Sequence, residues 1–249
     1  MRSTRLRLHI GASRLHRWLA LVIGVQLLLW FSSGLVMSLL PIDRVRGEHL
    51  VDREAAAVLP ASASYAAPQA IIAASAAPVR ALRHKMLLGR PVVEAETGAG
   101  IVLYDGATGA RLPPVDARQA EAIVIAAYRG TPSPKATVER VTAASTEYKG
   151  RVPAWRVALA DTDGTRVYVT DTGTIAAVRT GTWRLYDFFW GLHIMDWSEH
   201  ENFNTPWLKA FAFGGLALAV AGTILLYLRW PRRRRRRAGV DRGASNPIG

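Results

Sequence analysis

The sequence predicts an α+β membrane protein in which two transmembrane helices flank a region of two helix-plus-antiparallel-sheet units. The first observation is an uncharged stretch of 23 residues at 18–40, and the second is an uncharged stretch of 19 residues at 210–228. At 1.5 Å per residue these stretches make helices of about 35 and 29 Å, enough to cross a hydrocarbon core of about 30 Å. The third is a series of strand-like runs between them, each set preceded by a helix signal.

The stretch 18–40 is the stronger of the two predicted spans. It exceeds the 7–15 apolar residues of a signal peptide, and no small-residue cleavage site follows it, so we expect an uncleaved anchor. Gln26, Trp30 and Ser33 fall on one helical face, and polar or small residues in a span usually face another helix. We therefore expect this face to pack on the second span or on another chain.

The net charge of +13 is concentrated at the two ends of the chain. Residues 1–17 hold five Arg and no acid, and residues 229–249 hold eight Arg and one Asp, whereas residues 41–206 hold 18 basic and 18 acidic residues. Positive charge next to a span marks the cytoplasmic side, so both termini are predicted to be cytoplasmic. The region between the spans shows no basic face, so the sequence does not predict nucleic acid as a partner. We expect the lipid bilayer to be contacted by the membrane-anchor residues Arg14, Arg17, Trp18, Trp207, Arg229, Trp230, Arg232 and Arg233.

Composition and turn residues divide the chain into eight segments. They are a basic tail (1–17), transmembrane helix 1 (18–40), a linker (41–67), a first helix-plus-sheet unit (68–114), a second unit (115–182), a juxtamembrane aromatic segment (183–206), transmembrane helix 2 (207–230) and an Arg-rich tail (231–249).

The first unit is predicted to open with a short helix at Pro68, since proline is tolerated at the first helical position. Three strands follow at 80–88, 91–96 and 100–105, separated by Gly-containing turns.

The second unit is predicted to begin with a better-marked helix. Asp116 and Gln119 have the spacing of a capping box, and Gly130 is expected to end the helix. Its buried face is predicted to consist of Ala120, Ile123, Val124 and Ala127. Four strand-like runs follow, at 137–146, 154–160, 165–171 and 174–179.

An internal echo links the two units. Tyr104 is followed by Thr108 and Gly109, and Tyr168, 64 residues later, is followed by Thr172 and Gly173. Either the units are repeats of one structure, or the pattern arises by chance in turn-rich sequence.

Three stretches carry a resemblance to a known family: RLHRWLALVIGVQLLLWFSSGL near the start, GLHIMDW before the second span and AGTILLYLRW within it. Together with the two units they resemble the bacterial PepSY proteins with PepSY-associated transmembrane helices. The entry His16-Arg17-Trp18 and the pair Leu192-His193 are its most specific elements. The resemblance implies the bacterial inner membrane, with the two PepSY-like units in the periplasm.

The resemblance implies two functions. PepSY units occur in propeptides of secreted metallopeptidases and as free modules, so the leading expectation is a non-enzymatic module that binds a periplasmic protein or peptide. Some larger transmembrane members look like haem-bearing reductases linked to iron and siderophore uptake. The alternative is therefore a haem-binding redox subunit linked to ferric iron or siderophore reduction. The sequence contains no G-x-S-x-G, H-E-x-x-H or phosphate-loop motif, so it predicts no catalytic residues.

Haem b is the cofactor to which the alternative function points, with His16 and His193 as ligands. The predicted topology places these residues on opposite sides of the bilayer, so they do not share one haem within a chain. A homodimer would pair His16 with His16, or His193 with His193. The other interpretation of His16 is an interfacial residue beside Arg17 and Trp18.

A metal site is a further hypothesis. If residues 190–201 form a helix, His193, Asp196 and His200 lie on one face, where imidazole and carboxylate suit a divalent transition ion. The other interpretation is a solvated polar turn outside the membrane. Since the chain has no Cys, Cys-ligated zinc, Fe–S clusters and c-type haem are excluded.

Overall fold

The computed structural model describes residues 2–53, 58–61, 63–131 and 133–229. These residues include six α-helices and seven strands. The helices are α1 (Arg2–Leu39), α2 (Ile42–Arg46), α3 (Pro68–Ala74), α4 (Ala117–Ala127), α5 (Gly181–Ile194) and α6 (Pro206–Arg229). The strands are β1 (Val79–Leu87), β2 (Arg90–Thr97), β3 (Gly100–Asp105), β4 (Ala136–Val141), β5 (Ala154–Leu159), β6 (Arg166–Thr170) and β7 (Ile175–Arg179).

The two ends of the chain carry helices that are long and apolar enough to cross a membrane. The qualifying stretches are Arg17–Leu39 of α1 and Pro206–Thr223 of α6, which confirms the prediction of two candidate spans near the ends. Helix α1 begins earlier than the predicted span, at Arg2, because extending an existing helix adds one hydrogen bond per residue and no proline interrupts the tail. It ends at Leu39, two residues before Pro41.

Among the described residues, 2–27 and 206–229 form one compact unit. Within it, α6 approaches α1 closely at Gly214, where an added Cβ would lie 2.7 Å from Cδ1 of Ile23. Small residues let helix backbones approach in this way in membranes. A larger side chain at position 214 would require the side chain of Ile23 to shift.

Residues 28–205 form the second compact unit, which contains both sheets. The first sheet is antiparallel in the order β1-β2-β3, and α3 lies against it through the fully buried Ile71. Ile71 packs with Val93, Ala95 and Tyr104, which form the core of this sheet. The three strands follow the runs predicted from the sequence, because the Gly-containing turns between them are local signals.

The second sheet is antiparallel in the order β4-β5-β6-β7, and α4 packs on one face of it. The predicted capping box is confirmed: Gln119 N donates to Asp116 Oδ1 at 2.8 Å, and Asp116 N donates to Gln119 Oε1 at 3.0 Å. The predicted helix face is also confirmed, since the buried residues of α4 are Ala120, Ile123, Val124 and Ala127. They pack against Val157, Val167, Val169 and Val178 of the sheet.

The end of α4 differs from the prediction. The helix stops at Ala127 rather than at Gly130, because Tyr128 adopts an extended conformation and forms an antiparallel bridge with Val51. Arg129 N then donates to the carbonyl of Leu50 at 2.8 Å. Pairing with a distant segment therefore overrides the local stop signal.

That pairing also changes the interpretation of the predicted linker 41–67. Residues 42–46 form α2, and Val51 is fully buried in the core of the second sheet. The first part of this segment therefore belongs to the folded region, because Val51 contributes to the buried core of the second sheet. Residues 54–57 and 62 lie outside the described residues.

The echo seen in the sequence corresponds to matching positions in the two sheets. Tyr104 lies in β3 and Tyr168 in β6, each the third strand after a helix, and both are 1% exposed. Gly109 and Gly173 both have positive φ, at 75° and 79°, in the turns that follow. The second sheet has one additional strand, β7.

Glu147 fixes α5 to the second sheet. Its carboxylate accepts hydrogen bonds from Arg184 Nε of α5 at 2.8 Å, from Arg166 Nη1 at 2.9 Å and from the Tyr168 hydroxyl at 3.0 Å. Burial raises the pKa of Glu147, but the bonds from Arg184 and Arg166 outweigh it and hold the pKa below its ordinary value. The helix is therefore held by a charged, partly buried contact.

Candidate functional site

A cavity of about 270 Å³ lies where the end of β1 meets α4 and the turn between β6 and β7. At about 30 Å³ per water this is the space of roughly nine waters, just below the 300–1,000 Å³ typical of small-molecule pockets. It therefore suits a few side chains better than a large cofactor. The lining residues are Asp52, Arg53, Lys85, Met86, Leu87, Leu88, Gly89, Ile123, Ala126, Ala127, Gly173, Thr174 and Ile175.

The cavity borders the outer edge of β1. Three consecutive residues at the end of β1, 85–87, line it together with the turn residues Leu88 and Gly89. Side chains alternate between the two faces of a strand, so consecutive lining residues indicate a space beside the strand rather than above one face. Strand β1 is also the terminal strand of its sheet.

The hairpin geometry identifies which backbone groups point to that edge. Leu87 and Arg90 close a two-residue turn and form a hydrogen-bonded pair, and bonded and non-bonded pairs alternate from there. Met86, opposite Pro91, is a non-bonded position, as it must be because Pro91 has no N–H. The N–H and C=O groups of Leu82, His84 and Met86 therefore point outward. Within the part of the chain that the structure describes, no backbone hydrogen bond reaches them.

The opposite edge of this sheet is occupied. Leu112 N donates to the carbonyl of Leu103 at 2.8 Å, and Asp105 N donates to the carbonyl of Ala110 at 2.8 Å, so residues 110–112 cover β3. The edge strand β4 of the second sheet does not line the cavity. The other edge strand of the second sheet, β7, contributes one lining residue, Ile175, whereas β1 contributes Lys85, Met86 and Leu87.

Lys85 joins the two sheets at the wall of the cavity. Its Nζ donates to Glu94 Oε1 at 2.6 Å, to the carbonyl of Thr172 at 2.9 Å and to Thr174 Oγ1 at 2.9 Å. These three contacts use all three ammonium protons. Burial raises the pKa of Glu94, but the bond from Lys85 and the bonds from Thr172 and Thr174 hold it below its ordinary value.

The turn at Gly173 completes the cavity. Its φ of 79° is left-handed, and an added Cβ would lie 2.6 Å from Cδ1 of Leu87 and 3.1 Å from Cδ1 of Ile123. The left-handed conformation favours glycine here, and any larger residue would also require Leu87 and Ile123 to shift. The apolar side chains of β1 and α4 therefore meet directly behind the turn, and they give the cavity an apolar lining with charged residues at its rim.

A second cluster surrounds His193 at the end of α5. His193 Nδ1 lies 3.0 Å from the hydroxyl of Ser33, which is fully buried, and the hydroxyl also lies 2.9 Å from the carbonyl of Trp30. A hydroxyl has one proton, so both contacts are hydrogen bonds at once only when Nδ1–H donates to Ser33 and Ser33 donates to Trp30. In that tautomer Nε2 keeps its lone pair. The face predicted to pack on the second span or another chain thus contacts α5 of its own chain.

The structure does not place the predicted metal ligands on one helical face. Helix α5 ends at Ile194 and Met195 is left-handed, so residues 196–205 form a loop. Asp196 accepts hydrogen bonds from the backbone N–H groups of Glu201 and Asn202, both at 2.9 Å, which lower the pKa of its carboxyl. His200 Nδ1 instead lies 2.7 Å from Asp187 Oδ2. Within the described ranges, no group of three or more His, Asp or Glu side chains is placed to hold a metal ion.

Six of the remaining predicted site residues lie on α1 or α6. Arg17, Trp18 and Trp207 are exposed on their helices, as a lipid-contacting role requires. Arg14 and His16 lie within α1 and Arg229 ends α6, but their side chains are outside the described residues. Trp230, Arg232 and Arg233 lie outside the described residues altogether.

Sequence reasoning missed the cavity. Lys85 and Thr172 are 87 positions apart, and no motif links them. The available signal was Lys85 itself, a charged residue in a predicted strand whose hairpin partner strand carries Glu94. The free edge of β1 also had no sequence signal, because strand order is decided by packing.

A model of the PepSY-associated TM region family matches residues 13–246. This match includes both candidate membrane helices and everything between them. Neither the comparison with curated proteins nor the comparison with solved structures found a match.

Proposed function

We propose that this chain, which belongs to the family of PepSY-associated TM regions, is a membrane-anchored binding module. The module binds an extended segment of a protein partner along β1. The two candidate spans hold the module in the bacterial inner membrane. The Arg-rich ends lie in the cytoplasm and the two sheets lie in the periplasm, following the positive-inside rule. The module acts by binding and not by catalysis.

The observation that carries this proposal is the cavity beside the open edge of β1. In β-augmentation an added strand gains affinity from main-chain hydrogen bonds, and pockets for alternate side chains give specificity. A segment paired with Leu82, His84 and Met86 would place an apolar side chain in the cavity near Leu87 and Leu88. The occupant is therefore an extended peptide with at least one apolar anchor.

The expected affinity explains why a membrane anchor is useful. Six main-chain hydrogen bonds at about 0.5–1.5 kcal/mol each, with one buried apolar side chain at about 1.5–3 kcal/mol, give roughly 5–12 kcal/mol in total. Association costs at least about 4 kcal/mol of this. The complex is therefore weak and reversible. Anchoring the module in the membrane raises its effective concentration near a partner at the same membrane.

Crosslinking in membranes of the producing bacterium tests this proposal. Since the chain has no Cys, a Cys introduced at Leu88 carries a photocrosslinker at one position. We expect crosslinked partner from Leu88, and its loss when His84→Pro removes one outward N–H without breaking the β1–β2 ladder. His84→Ala removes the same ring but keeps the N–H, and is expected to retain the crosslink.

A crosslinker at Ile101, exposed on β3 of the same sheet, is the matched position control. Equal crosslinking from Leu88 and Ile101, or equal loss with His84→Pro and His84→Ala, would overturn binding along β1.

A second candidate function, a haem-binding redox subunit, is favoured by the contacts of His193. A histidine whose Nδ1–H is held by a neighbour presents Nε2 to a metal, which is the arrangement of ligating histidines. Positions 16 and 33 are 17 residues apart on α1, a rise of about 26 Å, and His193 contacts Ser33. His16 and His193 therefore do not fit one haem within a chain, and this candidate requires a homodimer.

Absorbance of the detergent-purified protein, produced with added haem precursor, tests the redox candidate. A Soret band that His193→Ala removes and Ser33→Ala shifts or weakens would support it. A colourless protein under these conditions excludes it and leaves the binding proposal untouched.

A further inference from the structure

We propose that α5 and the loop after it form a lipid-binding surface that seats the folded region on the membrane interface. The surface consists of Leu185, Phe188, Trp197 and Phe203, which are 47%, 61%, 67% and 54% exposed. Leu185 and Phe188 are three residues apart and so share one face of α5. Large apolar side chains that are exposed together mark an interaction site.

The three ionisable side chains of α5 itself are held in contacts with other parts of the protein. Arg184 Nε donates to Glu147 at 2.8 Å, Asp187 lies 2.7 Å from His200 Nδ1, and His193 lies 3.0 Å from Ser33. A helix facing water would expose these groups and bury its Phe and Leu. The reversed arrangement fits a helix whose outer face meets a non-aqueous medium.

The occupant is lipid because the surface continues from a span. Ser33, which His193 contacts, lies within the candidate span Arg17–Leu39, six residues or about 9 Å from its end. The C-terminal end of α5 is therefore at the boundary of the hydrocarbon region. With 14 residues, α5 is about 21 Å long, too short to cross the membrane and of a length suited to lying along it.

The aromatic composition is consistent with this placement. Trp190 Nε1 donates to the carbonyl of His200 at 3.0 Å, and its ring packs edge-on against Phe203 with centroids 5.4 Å apart. The loop carrying Trp197 and Phe203 is thus fixed to α5. Aromatic rings prefer the membrane–water interface.

Spin labelling of the full chain tests the inference. Single Cys variants, Phe188→Cys and Leu185→Cys, carry a nitroxide in nanodiscs of phosphatidylcholine and phosphatidylglycerol, and the native chain has no Cys to compete. We expect oxygen to relax these labels more than a water-soluble nickel complex does. The matched control is Ile72→Cys, on α3, where the native residue is 51% exposed, and we expect the opposite order there.

Two outcomes overturn the inference. If the label at Phe188 is as accessible to nickel as the label at Ile72, the surface faces water. If spin–spin broadening appears at Phe188 and vanishes on dilution with unlabelled chain, a second copy covers it. The inference rests on the membrane anchoring in the proposed function but not on β1. Crosslinking from Leu88 in a Phe188→Ser variant therefore separates failure of the lipid surface from failure of peptide binding.

Discussion

At the scale of residues, the ion pair of Lys85 and Glu94 links the first sheet to the second. Both side chains are largely buried, at 18% and 11% exposed, and Lys85 reaches across to the turn of the second sheet. A buried pair is costly to break because removing one partner leaves the other charge without compensation. The cavity wall therefore depends on both residues being charged.

The depressed pKa of Glu94 predicts a pH dependence of folding. A carboxyl whose folded pKa lies below its unfolded value of about 4.3 adds stability that is present above that value and is lost as pH falls through the folded pKa. We expect Glu94→Gln to lower the free energy of unfolding by about 1–3 kcal/mol at pH 7. Denaturant titrations should show this difference shrinking as the pH falls below about 4. A difference that stays constant down to pH 3 would contradict the role of the Glu94 charge.

At the scale of elements, the β1–β2 hairpin combines an unusual turn with the candidate binding edge. Its two turn residues, Leu88 and Gly89, both have positive φ, at 49° and 79°. Such turns favour Asn followed by Gly, and a leucine in this conformation is strained. Leu88 is also 45% exposed and lines the cavity, so its side chain is placed where a partner would contact it.

The strained leucine predicts a gain of stability on substitution. Leu88→Asn should raise the free energy of unfolding by about 1 kcal/mol, because the left-handed conformation costs a leucine roughly 1–2 kcal/mol and Asn tolerates it. Gly89→Ala, one residue further along the same turn, should lower it. Chemical unfolding midpoints measure both changes. Loss of stability in Leu88→Asn would mean that contacts of the leucine outweigh the strain.

At the scale of the whole molecule, charge at the chain ends predicts the orientation that the proposed function needs. The Arg-rich tails adjoin both candidate spans, and the region between the spans is close to neutral. Translocating either tail would carry several positive charges across the membrane. The proposed orientation therefore places the candidate binding edge of β1 and the tails on opposite sides of the membrane.

Reporter fusions check this orientation. We expect a fluorescent protein fused after Gly249 to be active and an exported phosphatase at the same position to be inactive. Inserting the phosphatase in the loop at residues 142–146, between β4 and β5, should give the opposite result. Replacing Arg232–Arg237 with Ser is expected to weaken the asymmetry. An active phosphatase after Gly249 in the native sequence would place the tail outside and move the proposed partner to another compartment.

The sequence by itself determined the features that depend on neighbouring residues. The two apolar stretches, the capping box of Asp116 and Gln119 and the buried face of α4 follow from periodicity and turn chemistry within a few residues. The strand positions follow in the same way, except that β4 ends at Val141 and not at residue 146. The family resemblance also depends on such local stretches, and the match over residues 13–246 confirms it.

Only the tertiary structure decided what distant segments do to one another. It ended α4 at Ala127 so that Tyr128 pairs with Val51, and it brought Lys85 to Thr172. It also placed His193 against Ser33 and ended α5 before the three predicted metal ligands could share a face. These contacts join residues tens of positions apart, and they form because packing apolar surface and pairing buried polar groups outweigh local preferences. The sequence therefore located the membrane segments and the sheets, whereas the cavity beside β1 exists only once the two sheets have packed.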